Sequence, residues 1–81
     1  MNNIMYENYI KLIIEYWFSE DIKKYWFSKD SDLIDKEISK KFKFILIEAE
    51  KGNTVEWLLT KEGFLAHIIL LDQFSRHIYR N

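Results

Sequence analysis

Three features of the sequence predict an all-α fold. In three segments the apolar residues recur at intervals of three and four, the spacing that lines one face of a helix. Charged residues fill the opposite faces. Residues suited to helix ends stand at the segment boundaries. About three main helices packed as antiparallel hairpins are expected, in a single domain over residues 1–81.

The first helix is expected over residues 3–18. Tyr6, Ile10, Ile13, Ile14 and Trp17 share one face, while Glu7, Lys11 and Glu15 follow the other, with Glu before Lys in the favourable order. Ser19-Glu20-Asp21 reads as a stop and a short linker. Tyr25-Trp26-Phe27 repeats Tyr16-Trp17-Phe18, but nothing else around the two triplets matches. Both read as aromatic anchors on one core.

Asp30, Ser31 and Asp32 offer N-caps for a second helix, and acidic residues suit its positive end. Ile34, Ile38, Phe42, Ile45 and Ala49 then recur at helical spacing over about five turns. Gly52-Asn53 ends it, since both residues tolerate the left-handed conformation of a C-cap. Thr54 to Leu59 is too short to assign, with Trp57 expected to pack across the helix ends. Thr60 is the N-cap of a third helix and Glu62 lies in its first turn. Phe64, Leu65, Ile68, Ile69, Leu70 and Leu71 cover most of that helix's circumference. A buried strand over residues 68–71 is the rival, but Asp72, Gln73 and Arg76 continue the helical spacing. A helix apolar nearly all round belongs in the middle of a structure, and two amphipathic helices cannot enclose it. The chain is therefore expected either to oligomerise or to need helices beyond Asn81.

Composition narrows the function. The absence of cysteine excludes disulfides, thiolate catalysis and cysteine metal sites. Twelve basic residues against thirteen acidic ones, net −1, argue against a general nucleic-acid binder. Met1-Asn2-Asn3-Ile4 lacks the positive start of a secretory signal. The longest apolar stretch, Phe64 to Leu71, is broken by His67 and falls far short of the roughly 20 residues of a membrane span. A soluble cytoplasmic chain is expected, with no cofactor, nucleic-acid or membrane partner.

One cluster could carry chemistry. Ten of the twelve basic residues are lysine, and both arginines, Arg76 and Arg80, fall in the last six positions. On a continuous α-helix Asp72, Arg76 and Arg80 form one stripe, with Gln73 over His77. Two guanidiniums beside a carboxylate, an amide and an imidazole make a candidate anion site. The plainer reading is that Asp72 pairs with Arg76 and the group as a whole locks helices together where they cross. His67 reads as a satisfied core or interface histidine, because no ligand-type residue stands four positions on. Asp30, Asp32 and Asp35 lack the central glycine and final glutamate of a calcium loop and read as caps. Lys40, Lys41 and Lys43 read as a solvated basic face near Glu37 and Glu48, and Trp17, Trp26 and Trp57 as core.

The run from Leu65 to Arg80, with Asp72-Gln73-Phe74-Ser75-Arg76-His77-Ile78-Tyr79-Arg80 at its centre, resembles the signature L-A-x-I-I-L-L-D-Q-F-P-R-N-I-Y-R. That signature belongs to the bacterial domain-of-unknown-function 924 family. Tyr16-Trp17-Phe18, Trp26-Phe27 followed by Lys29-Asp30, and Gly52 followed by Trp57 and Thr60-Lys61-Glu62-Gly63 agree in order. The resemblance implies an all-helical, tetratricopeptide-like fold with no established activity. It also implies relatives of roughly twice this length, so the chain reads as an N-terminal half. Lys61 and Ser75 stand where the family has proline, and His77 where it has asparagine. Without the proline at position 75, the third helix is expected to continue further. The functional expectation is a non-enzymatic scaffold or interaction domain, meeting itself or another protein through the apolar third helix. The alternative is an anion or small-molecule binding protein, an enzyme in its longer form, using Asp72, Gln73, Arg76 and Arg80.

Overall fold

The computed structural model describes residues 6–26 and 32–79. The elements are α1 (Glu7–Trp17), α2 (Glu20–Lys23), α3 (Asp32–Glu50), a 3-10 turn at Val55–Leu59, α4 (Lys61–Ile68), a π turn at Ile69–Phe74 and α5 (Ser75–Ile78). The described residues are all helix and turn, which settles the fold as all-α. Asp30, Ser31, Phe27, Lys29 and Arg80 lie outside the described residues.

Local chemistry explains the boundaries. Ser19 does not simply end α1; its hydroxyl accepts from the Ile22 backbone N–H and caps the single turn of α2, where a linker was expected. The C-terminus of α3 closes on a Schellman arrangement. Gly52, at φ +86°, donates to the Ala49 carbonyl at 3.0 Å, and Asn53 donates to that of Glu48 at 2.9 Å. Thr60 caps α4, its hydroxyl accepting from the Gly63 N–H at 3.0 Å. Residues 55–59, unassigned from sequence, form the 3-10 turn and seat Trp57 fully out of solvent.

The segment α4–α5 is the middle layer. α1 packs mainly on α4, and α3 mainly on α5 and the π turn, while α1 and α3 hardly touch through their backbones. Side chains bridge them: Tyr6 Oη donates to Glu48 at 3.2 Å, and Tyr16 Oη donates to Glu37 at 2.5 Å. Because Tyr6 precedes Tyr16 but Glu48 follows Glu37, α1 and α3 run antiparallel. The core lies where Ile13 and Trp17 of α1, Ile38, Phe42, Ile45 and Leu46 of α3, and Ala66, Leu70 and Phe74 of the middle segment meet. Phe74 packs on Phe42, Tyr16 and Trp17, with ring centres 4.8, 6.0 and 5.8 Å away. Trp26 stacks on Trp17 at 5.4 Å and donates its indole N–H to the Trp17 carbonyl at 3.1 Å, so within the second triplet it is Trp26 that is anchored to the core.

The middle helix is covered on only part of its circumference. Phe64, Leu65, Ile68 and Leu71 stay exposed, as do Leu58 and Leu59 just before α4.

Candidate functional site

The signature segment does not run as a plain α-helix. Over Ile69–Phe74 the backbone widens into a π turn, which lets Ile69, Leu70 and Phe74 all enter the core. The Ser75 N–H reaches back five residues to the Leu70 carbonyl. That leaves the Leu71 carbonyl without its α-helical donor, and the Ser75 hydroxyl supplies one at 2.7 Å. Helical structure continues to Ile78.

This register divides the candidate cluster. Asp72 and Arg76 meet on the surface, with Nη2 and Oδ1 at 3.3 Å. Gln73 donates to the other Asp72 oxygen at 2.8 Å and so turns to Asp72 instead of lying over His77. Both members of the Asp72–Arg76 pair are well exposed, and pairs of that kind contribute about 0–1 kcal/mol. Among the described residues this surface group bonds only within the π turn and α5. The joining of helices falls instead to His77, another member of the cluster.

His77 faces the other way. Its Nδ1 lies 2.5 Å from Asp35 Oδ1 on α3, and the two side chains are only 11% and 14% exposed. The imidazole and the Trp17 ring meet edge to face, with centres 6.3 Å apart. Beside this pair opens a cleft of about 650 Å³, lined by Asp32, Asp35, Lys36, Ser39, Lys40 and His77. The α3 residues among them share one face, at spacings of three and four. That spacing was the available signal for the cleft. Read alone, it gave caps and a solvated basic face, because the partner His77 lies 42 residues further along.

His67, expected to be satisfied, is not. Its Nδ1 is buried without a hydrogen-bond partner among the described residues, and burial lowers the imidazole pKa below its usual value. Among the described residues no three His, Asp or Glu side chains converge as a metal site. No helix among them is long and apolar enough to cross a membrane.

The family model described as "Bacterial protein of unknown function (DUF924)" matches residues 13–81. This chain belongs to the DUF924 family. The match takes in the second half of α1, the aromatic loop, α3 and the whole signature segment. In this DUF924 member the signature therefore supplies both the core-facing π turn and the two divergent polar groups, Asp72–Arg76 outward and His77 inward. No curated protein and no solved structure matches the chain.

Proposed function

We propose that this DUF924 chain is a non-enzymatic protein-interaction domain, and that its α4 face docks on the same face of a second copy. One observation supports the reading. The α4–α5 segment packs on α1 and α3 and leaves Phe64, Leu65, Ile68 and Leu71 uncovered, beside a Leu59 that is 80% exposed. Contiguous apolar surface of this kind marks an interaction site more often than a solvated face does.

The stripe is complementary to itself. Two copies related by a two-fold axis between Leu65 and Ile68 run antiparallel and lay apolar residue on apolar residue. The same axis sets Lys61 of one copy against the partner's Asp72, so the charges at the two ends of the stripe match. Light scattering over a concentration series tests the reading. A dimer is expected, and Ile68→Lys is expected to yield a folded monomer of unchanged helicity, since Ile68 is not part of the buried core. A wild-type chain that stays monomeric at every concentration would overturn it.

A further inference from the structure

We infer, on the basis of the α4 pairing proposed above, that His67 makes that pairing acid-sensitive: the neutral imidazole lets two copies meet, and the imidazolium parts them. His67 follows Phe64 by three residues and directly precedes Ile68, so on α4 it borders the exposed stripe. It is half-buried within its own copy, and a second copy seated on the stripe takes away water that still reaches it. The two-fold axis between Leu65 and Ile68 passes beside position 67 and brings both His67 rings to the same edge of the interface. A charge on one ring there faces the same charge on the other.

The surroundings satisfy the two protonation states differently. A neutral imidazole carries one proton, and with that proton on Nε2 the buried Nδ1 is left as a bare acceptor. The imidazolium has a proton on both nitrogens, and the one on Nδ1 meets no acceptor among the described residues. The 3-10 turn, α1 and the π turn pack on α4. Their carboxylates, Glu56, Glu7, Glu15 and Asp72, are all exposed, as are Lys11 on α1 and Lys61 and Glu62 on α4 itself. Tyr9 and Tyr16 of α1 lay their rings on Phe44 and Phe42 of α3. Burial is what lowers the His67 pKa in the single copy, and pairing deepens that burial. Pairing and protonation therefore oppose each other: the dimer is favoured above the ring's titration and weakens as the pH falls through it. Overall charge does not account for such a response. It is −1 with both histidines neutral, so protonating both leaves its magnitude unchanged.

Sedimentation equilibrium at pH 7.5 and 5.5, at one ionic strength and with helicity followed by circular dichroism, reads the dissociation constant. The wild type is expected to pair at pH 7.5 and to weaken at least about tenfold at pH 5.5, within the roughly hundredfold per pH unit that two protons per dimer allow. His67→Gln cannot take up the proton and keeps His77, so its constant should change less than about twofold. His67→Leu gives the same comparison where glutamine disturbs the stripe. Reciprocally, the His67 ring resonances should titrate at lower pH in a concentrated wild-type sample than in a dilute one, a readout that needs no variant. Equal wild-type constants at the two pH values, a pH response that survives in both variants, or a His67 titration independent of concentration would overturn the acid sensitivity and leave the pairing. A wild type that is monomeric at pH 7.5 would overturn the pairing itself, and its control by His67 with it.

Discussion

The chain's two glycines are held by different constraints. At Gly52 a Cβ would meet nothing within 4 Å, but φ is +86°, a conformation that costs an L-residue roughly 1–2 kcal/mol. At Gly63 the backbone is ordinary and the space is absent: a Cβ would sit 2.2 Å from the Trp57 carbonyl oxygen and 2.9 Å from Thr60 Oγ1. Gly63→Ala is expected to cost about 1–3 kcal/mol or more in urea unfolding, the overpacking range. Asparagine should be tolerated at position 52 and worse than alanine at 63. Gly52 was legible as a C-cap because its role is local. The role of Gly63 depends on where Trp57 comes to rest, which spacing does not reveal. His67 supplies the pH dependence. Burial lowers its pKa in the fold from 6.5, so below that value the unfolded chain takes up a proton that the fold resists. Stability from this group is therefore present at pH 7 and is lost as the pH falls through about 6.5. Denaturant midpoints at pH 7.5 and 5.5 should lie closer together in His67→Gln than in the wild type.

At the scale of elements, caps and faces were readable because they rest on neighbours in sequence. The C-terminal end of α3 and the start of α4 follow from Gly52, Asn53 and Thr60. The π turn was not readable, since residues 66, 70 and 74 fit an ordinary helix equally well. The turn buries Ile69, Leu70 and Phe74 together, and the spacing gives no sign of its wider register. This turn also changes what position 75 tolerates. Proline inside an α-helix costs about 3 kcal/mol or more, through a lost hydrogen bond and a clash with the carbonyl four residues back. Here the Ser75 N–H bonds five residues back, and the Leu71 carbonyl is already out of the α-helical ladder. Ser75→Pro, which restores the family's residue, is expected to cost less than about 3 kcal/mol in chemical unfolding.

For the whole molecule, the sequence accounting anticipated the architecture but not the site. A helix apolar nearly all round with two amphipathic companions has one face left over, and the structure leaves Phe64, Leu65, Ile68 and Leu71 there. The Asp35–His77 pair could not be anticipated, because it joins two elements whose relative placement only the tertiary fold decides. If the open face pairs as proposed, dilution should lower the unfolding temperature, since assembly stabilises by mass action. Calorimetry at protein concentrations a hundredfold apart would measure that slope, and the Ile68→Lys chain should show none. The order of the layers also bears on biosynthesis. α1 and α3 emerge from the ribosome first and have almost no backbone contact with each other. The surface that unites them arrives last, with Ala66, Leu70 and Phe74. A nascent chain halted before Phe74 thus lacks the surface that completes the cover of Ile13, Trp17, Ile38 and Phe42, and chaperones and proteases can reach what stays open. Folding must wait for the signature segment.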